Sequence, residues 1–116
     1  SNFDEYQVQL EEIHHTHKKD APSGTAISLA EEIIKKFKNF DAWKLEETQG
    51  NQLGIFAVRE DEVPGTHSVF YRSAVDEIEI KHTAYNRNGF ALGAVVAAEW
   101  ISGKRGVFTM KDVLGL

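Results

Sequence analysis

The sequence predicts an α+β fold: a two-layer domain with a roughly four-stranded, mostly antiparallel sheet, two helices on one face, and an open sheet face used for oligomerisation. Three observations predict it. Four short stretches alternate apolar and polar residues, the period of a half-buried strand. Two longer stretches repeat apolar residues at helical spacing. The elements follow one another as β-α-β-β-β-α, with turn residues between them. At 116 residues the chain is one domain by length, 1–116, and is long enough to bury a core without disulfides.

The first strand is read from Tyr6, Val8 and Leu10 alternating with Gln7, Gln9 and Glu11, and it runs into His14. Pro22 stops it, and a helix begins near Ser23 or Thr25. Ala26, Leu29, Ala30, Ile33 and Phe37 form its apolar stripe. Glu31–Lys35 and Glu32–Lys36 stand outward as i,i+4 pairs, a solvated face with no function assigned. Residues 39–52 are polar and irregular, with Trp43 as an isolated anchor. A second strand spans Leu53–Arg59, a third His67–Arg72 and a fourth Asp76–Thr83, the last two joined by a short turn at Ser73-Ala74-Val75. Phe90, Ala94, Ala97 and Ile101 mark a second helix that ends at Gly103 or Gly106. Met110–Leu114 is a final helical turn. Phe56 and Val58 stand opposite Ile55 and Ala57, and Phe70 opposite Tyr71. Strands apolar on both sides are covered on both sides. A second copy packed sheet on sheet is the simple cover.

Composition excludes several classes. The net charge is −5, from 13 basic and 18 acidic residues, against the basic face that nucleic-acid binding needs. No cysteine is present, so neither a disulfide framework nor a thiolate metal site is available. No apolar run reaches membrane length, and no secretory leader is visible. A cytoplasmic protein with no membrane and no nucleic-acid partner is expected. No G-x-G-x-x-G follows a strand, so the chain lacks a dinucleotide fingerprint.

The chemistry concentrates in His14-His15-Thr16-His17-Lys18-Lys19-Asp20-Ala21-Pro22-Ser23-Gly24-Thr25-Ala26. Three imidazoles and two ammonium groups stand immediately ahead of a helix start. Free N–H groups there attract anions, and histidine and lysine beside them can supply protons. The string reads as an exposed loop that holds a carboxylate or phosphate while a proton is delivered. Asp20 orients Lys18 or caps the loop, and His17 is exposed. His67 and His82 are structural strand histidines, and Trp43 and Trp100 are packing residues. Zinc on His14, His15 and His17 is disfavoured. Neighbouring rings on a strand end point to opposite sides, no carboxylate stands at a familiar spacing, and Lys18 repels a cation. No metal is expected.

The same string, Glu12-x-His14-x-x-x-Lys18-x-Asp20-x-Pro22-Ser23-Gly24-Thr25-Ala26, resembles the signature of the dihydrodipicolinate (4-hydroxy-tetrahydrodipicolinate) reductases of lysine and diaminopimelate synthesis. His82-Thr83-Ala84-Tyr85-Asn86-Arg87, Pro64-Gly65-Thr66-His67 and Gly106-Val107-Phe108-Thr109-Met110-Lys111-Asp112-Val113-Leu114 extend the resemblance over nearly the whole chain. Gln9-Leu10 depart from it, standing where the family usually has an acidic residue and then Ile or Val. The resemblance implies hydride transfer from NADPH or NADH to a cyclic dicarboxylate, coupled to protonation. It implies His14 as proton donor and acceptor, and Lys18 as proton donor and carboxylate attractor. It implies His15 as substrate-binding, and Ser23, Gly24 and Thr25 as the carboxylate cradle. Arg87 is a further candidate carboxylate clamp by its charge and fork geometry. The family carries a Rossmann domain ahead of this region. The chain is therefore expected to be the substrate-binding, homotetramer-forming half, inactive alone, with the cofactor bound mainly by the missing half. A non-catalytic oligomerising module with a dicarboxylate pocket is the alternative.

Overall fold

A computed structural model describes residues 6–38, 40–46 and 51–116. The elements are β1 (Gln7–His14), α1 (Gly24–Lys36), β2 (Ala42–Leu45), β3 (Gln52–Arg59), β4 (Gly65–Arg72), β5 (Glu77–Ala84), α2 (Asn88–Ile101) and α3 (Met110–Leu114). They fall into two compact units, Ser1–Tyr85 and Asn86–Leu116.

The first unit is an α+β sheet domain, as predicted, but the sheet has five strands and is mixed. Its order is β2-β3-β1-β4-β5. β1–β3 and β2–β3 are parallel, while β1–β4 and β4–β5 are antiparallel. The expectation of a mostly antiparallel sheet fails because α1 acts as a crossover. It returns the chain so that β3 runs alongside β1 in the same direction, and alternation alone does not encode strand direction. β2 was not foreseen. It is a four-residue edge strand in which only Trp43 and Leu45 are half-buried, too short for alternation to register. Within the expected irregular segment, residues 39 and 47–50 lie outside the described residues.

β1 sets the core. Its burial alternates strictly, with Val8, Leu10, Glu12 and His14 inward. Leu10 stands beside Ile55 of β3 and Val69 of β4 in the ladder, so the three share one face. α1 lies on that face with Ala26, Ala30 and Ile33 buried, and Phe37 completes the stripe. Leu10, Leu53 and Ile55 are fully enclosed. The Phe37 ring stacks on Tyr71 at 6.0 Å. On β5 the same face carries Ile78 and Ile80, register partners of Tyr71 and Val69, and these remain 50% and 61% exposed. The opposite face carries Phe56 and Phe70, both half-buried.

In the second unit, α2 and α3 pack together. Trp100 meets Phe108 edge-on at 5.0 Å, and the Lys104 ammonium lies 4.4 Å from the indole. A reciprocal Thr109–Asp112 box starts α3, and Gly115, with φ 72°, ends it. α2 is apolar all round, yet none of its residues is buried. Such a helix is usually covered.

Candidate active site

The inward alternation of β1 carries it from core to chemistry, since the two inward positions after Leu10 are Glu12 and His14. Both are buried, Glu12 completely and His14 to 8% exposure. His14 does not lie on the exposed loop expected of it: it is the last residue of a central strand, and its ring is on the core side.

A buried carboxylate needs partners, and Glu12 has them from three elements. The Ser23 N–H donates to Oε2 at 2.9 Å from the start of α1. Arg59 of β3 donates to Oε1 through Nη1 in a short ion pair. His14 Nδ1 lies 3.3 Å from Oε2. It is close but off the line of a hydrogen bond, and Nδ1 has no hydrogen-bond partner among the described residues. Burial pushes the Glu12 carboxyl up, but the bonds from Ser23 and Arg59 outweigh it and hold the group below its ordinary value of 4.5. Glu12 is therefore an anion at neutral pH.

Arg59 also fixes the loop that follows. Its Nε donates to the Lys18 carbonyl at 3.3 Å and its Nη2 to the Asp20 carbonyl at 2.6 Å. One guanidinium thus spans Glu12 and both ends of the segment bearing Lys18. The Lys18 ammonium pairs with Asp20 Oδ1 at 3.1 Å, the orienting contact expected of Asp20. The Lys18 N–H closes a turn on the His15 carbonyl. His15 is half-buried, and its ring lies 6.2 Å from that of exposed His17.

At the helix start, Ser23 departs from its expected role. Its N–H is given to Glu12, while its Oγ caps α1 by accepting from Ala26 N–H at 3.2 Å and lies 3.2 Å from His67 Nε2. Both groups are already engaged, because the helix N-terminus has taken in an anion from its own chain. Gly24 and Thr25 are the exposed remainder. Their N–H groups sit at first-turn positions with no intrahelical acceptor. A Cβ on Gly24 would meet nothing within 4 Å, so the space above it is open. Gly65 of β4 is the other close approach, where a Cβ would stand 3.1 Å from His14 Nε2. Room at that nitrogen depends on position 65 having no side chain.

His67 of β4 faces Glu12 in the ladder, and its ring meets His14 edge-on at 5.1 Å. It belongs to the cluster rather than to the strand alone. Its register partner on β5 is His82, which is exposed. Glu12, His14 and His67 offer three ligand atoms within 4.8 Å of one another. The Arg59 guanidinium already supplies the positive charge at that carboxylate. Arg87 is the N-cap residue of α2 in the second unit, exposed and without a side-chain cap bond.

Desolvation lowers the proton affinity of His14, and it remains below the ordinary 6.5 although Glu12 pulls it upward. His67 is lowered in the same way, by burial first and then by His14. The unfolded chain takes up these protons near 6.5 and the folded chain only at lower pH. Stability is thus complete above about 6.5 and is lost as pH falls through it. Glu12, lowered from 4.5, adds a further loss below that value. The melting temperature is expected to decline steadily from about pH 7 to about pH 4. A flat profile over that range contradicts these environments.

Fold and site together define an α+β sheet unit in which a buried carboxylate, Glu12, gathers His14, Arg59 and the start of α1 behind the loop that bears Lys18. The chain belongs to the dihydrodipicolinate reductase family: residues 1–114 match the family described as "Dihydrodipicolinate reductase, C-terminus". A 4-hydroxy-tetrahydrodipicolinate reductase of Christiangramia forsetii is 55% identical over 112 residues, covering 97% of this chain and 47% of that protein. A reductase of the same name from Aquifex aeolicus is 46% identical over 121 residues, covering 99% and 44%. Among solved structures, a dipicolinate-bound dihydrodipicolinate reductase from Paenisporosarcina sp. TG-14 matches with a TM-score of 0.62 at 22% identity, over 82% of this chain and 39% of that one. The fold is therefore shared. The chain spans less than half the length of these relatives. Among the described residues no helix is long and apolar enough to cross a membrane.

Proposed function

We propose that this chain is the substrate-handling domain of an NADPH- or NADH-dependent reductase that converts 4-hydroxy-tetrahydrodipicolinate to tetrahydrodipicolinate in lysine and diaminopimelate synthesis, in the cytoplasm. The observation that carries the reading is the gathering of His14, Ser23 and Arg59 on buried Glu12, with Arg59 also holding the Lys18 carbonyl, in a member of this family. The bound nicotinamide supplies hydride. No segment here has the glycine pattern that would hold it, so the cofactor is assigned to another part of the protein.

This chain's own residues bind and protonate. The Gly24 and Thr25 N–H groups and the Thr25 hydroxyl receive one carboxylate. The Lys18 ammonium attracts a carboxylate and releases a proton. His15, at the rim, is a further contact, and Arg87 a candidate clamp on the second carboxylate. His14 holds or accepts a proton at Nε2, in the room left by Gly65. Ser23 acts from behind as the cap, not through its own N–H.

Calorimetric titration with pyridine-2,6-dicarboxylate tests this. The chain is expected to bind weakly. Loss of a charge-assisted hydrogen bond costs about 1.5–3 kcal/mol, so Lys18→Ala should weaken binding about tenfold or more. His17→Ala should change it little. Gly24→Ala should weaken binding while leaving the melting temperature unchanged or higher, because the added methyl meets only open space. An equal loss in His17→Ala and Lys18→Ala overturns the assignment.

Assembly is the other part of the reading. On β5, Ile78 and Ile80 are exposed, and on α2 so are Phe90, Leu92, Val95 and Val96. This is apolar surface of the kind that oligomers cover. Four copies are expected, and light scattering should report a mass well above 13.0 kDa. A monomer at micromolar concentration rejects assembly through this chain.

A further inference from the structure

The proposed chemistry leaves Glu12, Arg59 and the Nδ1 atom of His14 unused, and these converge behind it. Glu12 is fully buried and bonded by Ser23 and Arg59. His14 Nδ1 is buried, 3.3 Å from the Glu12 carboxylate, and without a hydrogen bond among the described residues. Arg59 spans Glu12 and the carbonyls of Lys18 and Asp20. A buried ring nitrogen that is not bonded is costly, and the neighbour recorded beside this one is an anion. Carboxylates behind histidines fix which ring nitrogen carries the proton.

We propose that Glu12 is a positioning residue for His14, holding the proton on Nδ1 so that Nε2 faces the room at Gly65, and that Arg59 couples this carboxylate to the backbone that presents Lys18. This rests on the reading of His14 and Lys18 as the proton-handling pair.

The geometry separates the two tautomers. With the proton on Nδ1, that atom faces Glu12 as a donor, and Nε2, beside Gly65, is left as the acceptor. With the proton on Nε2, two acceptors face each other at 3.3 Å in a buried site, which is repulsive. The other charged and titratable groups of the cluster are Arg59 on β3, His67 on β4 and Lys18 and His15 on the loop. Arg59, Lys18 and His15 oppose a positive imidazole, and Glu12 alone favours one. Glu12 therefore decides both where the proton sits and how readily a second is accepted. Arg59 keeps Glu12 ionised and, with the same fork, prevents Lys18 from drifting away from His14. A lysine at position 59 has one ammonium and cannot reach three acceptors in a plane.

The test begins with the unsubstituted chain. Long-range proton–nitrogen NMR of the imidazoles at neutral pH is expected to show His14 as the Nδ1–H form. An Nε2–H form overturns the proposal without any variant. In Glu12→Gln, the midpoint of His14 protonation should fall by about one unit or more, the loss of an adjacent opposite charge. An unchanged midpoint in the folded variant means that Glu12 is only structural. Arg59→Lys keeps the charge and serves if Glu12→Gln does not fold. In a reductase containing the chain it should lower kcat about tenfold or more, with KM moving much less. A proportional change in both, or no change, counts against the coupling. Pyridine-2,6-dicarboxylate binding to the unsubstituted chain reports separately on the underlying reading, because the tautomer measurement does not need it.

Discussion

Lys18→Ala is expected to lower the turnover of a reductase containing this chain by about 10²–10⁴-fold, the range a positioned proton donor contributes. The fold should barely register the change. The Lys18 side chain is one-quarter exposed and its partner Asp20 is more open still, so solvent screens the pair and it adds little to stability. The loop itself is held by its backbone, through Arg59 on the Lys18 and Asp20 carbonyls. Alanine keeps that backbone. Cofactor affinity should be nearly constant. Steady-state kinetics beside a thermal melt checks the split. A variant that loses turnover and stability together would mean that Lys18 is a structural residue.

The second large effect belongs to the core. Leu53→Ala should destabilise the sheet unit by about 2–5 kcal/mol, the usual cost of removing a large buried aliphatic side chain and leaving a cavity. Leu53 is completely enclosed and stands beside Trp43 in the β2–β3 ladder. Rigid sheet neighbours limit the collapse that would soften the loss, so the upper half of that range is expected. Denaturant unfolding measures it. A cost near zero would mean that β2 and α1 can close over the gap. Val58→Ala, at a far more exposed position of the same strand, is the control and should cost much less.

Much of this was legible in the sequence. Val8 and Leu10 announce β1, and Ala26 to Phe37 announce α1, because both patterns are dictated by one buried face. The helix start at Ser23-Gly24 and the grouping of His14, Lys18 and Asp20 follow from short-range chemistry. Strand direction was not legible. Nothing in Leu53–Arg59 says that it runs parallel to β1, since alternation is the same either way. Short β2 gave no periodic signal. Within the site, Glu12 stands in the sequence signature without a role that short-range chemistry can assign. Its position held the clue: it keeps the inward parity of Val8 and Leu10, and a charge at an inward position must have a built partner. That partner, Arg59, lies 47 residues away, and only sheet pairing brings it near. His67 looks like a plain strand histidine in the sequence for the same reason, since its closeness to His14 exists only across the β1–β4 ladder. The double duty of Ser23 could not be foreseen without knowing that Glu12 reaches the helix end first.

The reach of Arg59 has a thermodynamic consequence. The guanidinium, the carboxylate, the cap and His67 come from four separate places in the chain, so the site exists only where β1, β3, β4 and the start of α1 are assembled. A ligand that binds it therefore binds only the folded unit. Mass action then makes the ligand a stabiliser of the whole unit, by about 2.7 kcal/mol at a hundred times its dissociation constant. If the dicarboxylate titration succeeds, apparent stability becomes a function of that ligand's concentration, and a melting curve becomes a binding assay. In a cell, the pool of any such ligand would help to decide how much of this protein survives quality control.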